Sequence, residues 1–221
     1  MMQERKIHFK NSLSGRPPKK LVFFLHGYGA DGADLFNLSN PFSTILRDAK
    51  FISPDAPQQC QLSSVGKQWF PIEKIPYGAK DAANDLLELI ENECEKEKLN
   101  ISDVVLIGFS QGAMMSLQTM LLSKINFFAV IGYSGNIATQ NINFSQNFIK
   151  NGIHKNSNTP VFLIHGEEDE VVPFESLENS KKLLLQIGFA VKTLNRPNLG
   201  HGIDPEGISA GMEFLNKLVN N

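Results

Sequence analysis

The chain has 221 residues, 42% of them hydrophobic and 20% charged, and a formal net charge of −2. That length and apolar content suit one globular domain over residues 1–221 with a sizeable core. The near-neutral charge, with no long basic run, speaks against a nucleic-acid binder or a protein held electrostatically on anionic membranes.

The first residues, MMQERKIHFKN, are charged where a secretion signal needs an apolar core. No run approaches the roughly 18 uninterrupted apolar residues of a membrane span. The expectation is a cytoplasmic protein without integral membrane association. Cys60 and Cys94 are too few for a disulfide framework and lack zinc-like spacing, so both read as free thiols and no metal is expected. A homodimer through an exposed apolar patch is compatible with the sequence, which does not specify the oligomeric state.

LVFFLH (21–26) reads as the first strand, and it runs into the glycine-rich HGYGADG. The glycine spacing there matches neither the dinucleotide fingerprint nor the Walker pattern. KFIS (50–53) is the next strand. It leads into 54–78, a stretch rich in Pro, Gln and Ser with the only tryptophan, Trp69, expected to form loop or short irregular helix. In a parallel sheet the loops leaving the C-terminal strand ends form the binding face, which makes 54–78 a candidate substrate wall. Leu62, Val65, Trp69 and Phe70 are the candidate lining of an acyl pocket. The competing reading is that Trp69 and Phe70 pack the loop onto the core.

Residues 79–98 carry an apolar stripe of Ala82, Ala83, Leu86, Leu87, Leu89, Ile90 and Cys94 against a Glu/Lys-rich face, the pattern of an amphipathic helix. DVVLIG (103–108) then reads as a strand buried on both faces, broken at Gly108-Phe109-Ser110-Gln111-Gly112 and resumed as a helix over 111–124. That puts Ser110 on a strand-to-helix turn. Glycines on either side leave room for the tight turn and its packing, so the serine hydroxyl is presented at the top of the sheet as in the nucleophile elbow of α/β-hydrolases. Strands at FAVIGYS (128–134), PVFLIH (160–165) and AVKTLN (190–195) and helices at 175–187 and 205–219 complete the rhythm. It predicts a mainly parallel sheet covered on both faces. The Asn-rich stretch 139–159 reads as a surface insertion.

A serine nucleophile needs a base, and the base needs an acid to orient it. In the α/β-hydrolase order the base follows the serine, which leaves His154, His165 and His201. His154 lies in the Asn-rich insertion and His165 ends a strand, as a fixed structural residue would. His201, in the Gly-flanked loop NLGHGIDPEG before the final helix, is the candidate base. The acid should come from the cluster Glu167, Glu168, Asp169, Glu170, where Glu168 and Asp169 compete on type and spacing alone. Two preplaced N–H groups should receive the oxyanion, one from Gln111 and the other, from the loop after the first strand, from Tyr28.

Taken together, LHGYGADG, PDAPQ, QWF, GFSQGAMMSL, HGEEDEVVP and GHGIDPEGI resemble the phospholipase/carboxylesterase family of small α/β-hydrolases, over most of the chain. The resemblance implies Ser110 as nucleophile, Asp169 as the orienting acid and His201 as base, with Tyr28 and Gln111 as oxyanion-hole donors. It decides the acidic cluster in favour of Asp169. It also implies hydrolysis of short to medium acyl esters or thioesters, a small-molecule ester or an acylated substrate as partner, and no cofactor. The chain departs from the family pattern at Glu170, where Pro is usual, at Tyr28 for Leu and at Gly202 for Ser. Two other readings stand beside it. A dienelactone-hydrolase-like enzyme is disfavoured by serine rather than cysteine at the elbow, and a silent binding protein of the same fold by retention of all three residues.

Overall fold

The strands fall where runs of apolar residues allow burial on both faces. In chain order they and the helices are β1 (Ile7–Lys10), β2 (Lys20–Leu25), α1 (Gly32–Phe36), α2 (Ser39–Ile45), β3 (Ala49–Pro54), β4 (Gln58–Gln59), β5 (Lys67–Gln68), α3 (Tyr77–Glu97), β6 (Val104–Phe109), α4 (Gln111–Leu122), β7 (Ala129–Tyr133), β8 (Val161–Gly166), α5 (Glu175–Gln186), β9 (Val191–Arg196) and α6 (Pro205–Val219). This computed structural model describes residues 5–61, 63–75, 77–138 and 158–220.

Seven strands form one sheet in the order β1-β3-β2-β6-β7-β8-β9. Only β1 runs antiparallel to its neighbour, β3; every other pairing in the sheet is parallel. Successive residues of a strand face opposite sides. Leu21, Phe23 and Leu25 of β2 therefore join Leu106, Met115 and Leu184 in one core layer, while Val22 and Phe24 join Phe42, Ile107 and Leu215 in the other. The first layer is closed by α3, α4 and α5, the second by α1, α2 and α6. Along α3 the buried stripe is Ala79, Ala82, Ala83, Leu86, Ile90, Glu93 and Cys94. Glu93 is tolerated there because Lys96 at 2.6 Å and Lys50 at 3.3 Å satisfy its carboxylate.

From β2 the chain crosses to β3 on one side, then returns to β6 on the other. The order reverses between β2 and β6, and such a switch point opens a crevice at the C-terminal strand ends.

The short β1, α1 and α2 have no counterpart in the pattern reading, because segments of four to seven residues carry too few periods to register. The loop expected over 54–78 contains a small antiparallel hairpin, β4 with β5, and a 3-10 turn at Ile72–Lys74. Helix α3 starts at Tyr77 rather than residue 79. Both thiols are free and buried. The insertion expected over 139–159, with His154, lies outside the described residues except for its last two positions.

The elbow makes one glycine indispensable to the fold. A Cβ on Gly112 would lie 1.8 Å from the Leu25 carbonyl oxygen, where β2 and α4 touch backbone to backbone. Gly112→Ala is expected to cost about 3 kcal/mol or more, the upper end of what overpacking costs. Urea unfolding checks this, as a midpoint lowered by about 1 M or more; a midpoint equal to that of the unsubstituted chain would show that α4 can shift freely on the sheet.

Candidate active site

Ser110 follows the last residue of β6 and precedes the first of α4, with φ 53° and ψ −118°. A non-glycine residue in that region is strained, at a cost of order 1–3 kcal/mol, and persists only where its surroundings impose it. Here they do. The Ser110 N–H donates to Tyr133 O at 2.9 Å, its carbonyl accepts from Ala113 and Met114, and a Cβ on Gly108 would lie 2.2 Å from the Gly112 carbonyl. The serine is held at the mouth of the crevice, 8% exposed.

His201 reaches it from the loop between β9 and α6. Its Nε2 lies 2.9 Å from Ser110 Oγ, and its Nδ1 lies 2.8 Å from Asp169 Oδ2 and 3.0 Å from Oδ1. The Phe109 ring covers one side of the imidazole, with centroids 4.9 Å apart. Its loop is fastened at several points. Ser134 Oγ–H donates to Gly202 O, and Glu168 N–H donates to Leu199 O at 3.0 Å. Asp204 caps α6 by accepting from Gly207 N–H at 2.7 Å, while Arg196 holds the same carboxylate at 2.8–2.9 Å and pairs with Glu206.

The acidic cluster separates on burial. Glu167, Glu168 and Glu170 are exposed, whereas Asp169 turns inward with its side chain shielded from solvent. Its Oδ1 accepts from the Val171 and Val172 N–H groups at 2.9 and 2.8 Å. Burial by itself raises this carboxyl, but the hydrogen bonds from His201, Val172 and Val171 outweigh it and hold the group below its ordinary range. The site therefore keeps a carboxylate beside the imidazole. An ionised acid at Nδ1 leaves Nε2 free to accept the Ser110 proton and stabilises the imidazolium that results.

Tyr28, half-buried, sits in the loop after β2, which lies against the serine: a Cβ on Gly27 would be 3.4 Å from Ser110 Cβ. The Tyr28 phenol is held above its ordinary range, chiefly by hydrogen bonding with Cys60. Gln111 opens α4, where the first N–H groups of a helix have no intrahelical acceptor and the helix dipole favours negative charge. The structure thus brings Ser110, Asp169 and His201 into one hydrogen-bonded chain, with Tyr28 and Gln111 on the two segments flanking the serine.

The candidate pocket wall requires correction. Trp69 and Phe70, each 1% exposed, are part of the core and present no side-chain surface to a ligand. The Trp69 indole N–H donates to His26 O, which fixes the ring inward. Val65 is 79% exposed, between β4 and β5 of the hairpin. Leu62 lies outside the described residues.

Pattern reasoning missed three contacts at the site. His165 is buried with Nε2 2.9 Å from Val172 O and 3.2 Å from Asp169 Oδ2, so a second imidazole stands against the acid. His26, whose Nδ1 lies 2.7 Å from Gly27 O, accepts the Ala56 N–H at Nε2, and burial lowers its basicity. The Gln111 side chain is engaged with the backbone at Trp69 and Phe70. The shared pattern of His26-Gly27 and His165-Gly166, a histidine ending a strand before glycine, is the one signal that marked two of them. Among the described residues no group of three or more His, Cys, Asp or Glu side chains is arranged to hold a metal ion.

A family model described as phospholipase/carboxylesterase matches residues 11–219. An acyl-protein thioesterase 1 of Yarrowia lipolytica is 29% identical over 90% of this chain and 88% of its own length. The esterase YpfH of Escherichia coli is 24% identical, over 96% and 88%. Among solved structures, that of esterase PE8 superimposes with a TM-score of 0.89 at 30% identity, over 98% of this chain and 100% of the other. The Bacillus cereus carboxylesterase shares the fold, with a TM-score of 0.80 at 16% identity over 97% and 95%.

Proposed function

Because the chain belongs to the phospholipase/carboxylesterase family of α/β-hydrolases, we propose that its esterase or thioesterase chemistry runs through an acyl-enzyme on Ser110. The observation that carries this reading is the unbroken chain Ser110 Oγ, His201 Nε2, His201 Nδ1, Asp169 Oδ2. His201 takes the Ser110 proton as Oγ attacks the acyl carbonyl, and the backbone N–H groups of Tyr28 and Gln111 hold the oxyanion. As the tetrahedral species collapses, His201 returns that proton to the departing alcohol or thiol. Water, deprotonated by the same imidazole, then attacks the acyl-enzyme and releases the acid with Ser110 restored.

Substrates are carboxylic esters or thioesters with short to medium acyl chains. The whole chain acts as a single α/β-hydrolase domain. We place the enzyme in the cytoplasm, a reducing compartment that two unpaired buried thiols suit.

Two readouts test the function together. A fluorophosphonate is expected to label Ser110 covalently, and p-nitrophenyl esters from acetate to palmitate to be hydrolysed with a maximum at a short or medium chain. A folded protein that neither labels nor hydrolyses any of the esters would overturn the reading, as would labelling at a different serine.

A further inference from the structure

Strands β2 and β6 are paired only as far as Leu25 and Gly108. Beyond that pair the two segments bearing Tyr28 and Gln111 leave the sheet; their bases still touch, Gly112 against the Leu25 and His26 carbonyls and Gly27 against Ser110, but no ladder hydrogen bond joins the donors themselves. An oxyanion is stabilised only by donors preplaced at about 2.7–3.1 Å from it. Contacts outside the ladder must therefore complete the setting of their separation.

The stretch from Gly66 to Phe70 touches both. On one edge it is zipped to the loop after β2: Gly29 N–H donates to Lys67 O at 2.8 Å and Lys67 N–H to Ala30 O at 2.7 Å. The Trp69 indole N–H adds a bond to His26 O at 2.9 Å. Gly66 lies so close that a Cβ on it would meet the Gly29 carbonyl at 2.1 Å. On the other edge stands the buried Gln111 carboxamide. Its Oε1 accepts the Trp69 N–H at 2.9 Å, and its Nε2–H donates to Phe70 O at 2.7 Å. A primary amide satisfies a donor and an acceptor of the strap at once. An ionised carboxylate would repel the Phe70 carbonyl and a thioether would bond neither group.

We propose that this strap sets the distance between the two oxyanion donors and that the Gln111 side chain is its positioning residue. The proposal rests on the acyl-enzyme reading above. Gln111 then has two separable roles: its backbone N–H faces the oxyanion, while its carboxamide holds the strap that holds the Tyr28 loop. Substituting the side chain leaves the backbone donor in place and releases only the strap.

The test measures kcat and KM for p-nitrophenyl butyrate and the Ki of an alkyl trifluoromethyl ketone, whose serine hemiketal carries an oxyanion. In Gln111→Met, kcat is expected to fall about 10- to 100-fold with KM within about twofold, because misplaced donors weaken the transition state rather than ground-state binding. The Ki should rise by the same factor. Gln111→Glu recovers most of the loss while its buried carboxyl is protonated, since a carboxylic acid both accepts and donates; the recovery disappears as pH rises, adding a descending limb that the unsubstituted enzyme lacks. Trp69→Phe, which removes the indole bond to His26 together with part of a buried ring, is expected to show the same signature at about 3- to 10-fold, and it carries the test if Gln111→Met does not fold. Either variant, folded, with unchanged kcat and Ki, or with its loss confined to KM, overturns the proposal. Failure of the underlying reading is distinguishable, because it appears as hydrolysis that survives Ser110→Ala.

Discussion

Ser110→Ala is expected to lower kcat for a p-nitrophenyl ester by about 10⁵- to 10⁶-fold while leaving KM nearly unchanged, the scale on which removing a serine nucleophile acts. The Oγ is the only atom removed, and it carries both the attacking electron pair and the bond to His201 Nε2 at 2.9 Å. Without it the imidazole has no serine proton to take. The residual rate is that of water beside two oxyanion donors and an ordered base, about 10³- to 10⁴-fold above solution. Alanine keeps the helix start and the backbone bonds of the elbow, so the variant should unfold at the same urea concentration as the parent. Initial rates normalised to folded-protein concentration check the prediction, with a fluorophosphonate titration of the variant excluding contaminating parent enzyme. A loss smaller than about tenfold would mean that hydrolysis occurs elsewhere on the molecule.

Asp169→Asn is expected to cost about 10⁴-fold in kcat, the size of effect seen when the imidazole is forced into the wrong tautomer. The carboxylate accepts on every side. Oδ1 takes the N–H groups of Val171 and Val172, and Oδ2 faces His201 Nδ1 and His165 Nε2. Because His165 Nε2 already donates to Val172 O, it carries a hydrogen. A carboxamide therefore fails in either orientation. With NH₂ toward the histidines it opposes one donor and obliges His201 to keep its proton on Nε2, where it blocks proton abstraction from Ser110. With NH₂ toward the backbone it opposes the two N–H groups. Buried mismatches of this kind cost about 1–3 kcal/mol, so the urea midpoint should fall along with kcat. Nearly full activity in the Asp169→Asn variant would show that another group orients His201.

How much of this was legible from residues alone differs from element to element. The six apolar strands and four long helices were readable because burial on two faces leaves continuous apolar runs and a single buried helix face leaves a stripe. Of these, α3 begins at Tyr77, two residues before its buried stripe does. The strand β1 was not readable: it is a half-buried edge whose partner, β3, lies more than 40 residues away. Ser110 was legible because a strand-turn-helix elbow is a local event. Type and spacing could not separate Asp169 from Glu168. What separates them is a turn that directs Asp169 onto the Val171 and Val172 N–H groups and leaves its neighbours in water, a matter of backbone geometry. Apolar character likewise could not say whether Trp69 and Phe70 face a ligand or the core. The indole bond to His26 and the Gln111 clamp, both between residues more than 40 positions apart, fix them inward.

The separation of 91 residues between nucleophile and base also bears on synthesis. A nascent chain that has emerged from the ribosome through β7 carries the elbow, with its Ser110 N–H bond to Tyr133 O, and no His201 to activate it. The base arrives only when β9 has docked on β8 and the cap of α6 has closed the loop behind it. Catalytic competence thus waits on β9 and α6, and truncated products that stop short of them carry the serine without its reactivity.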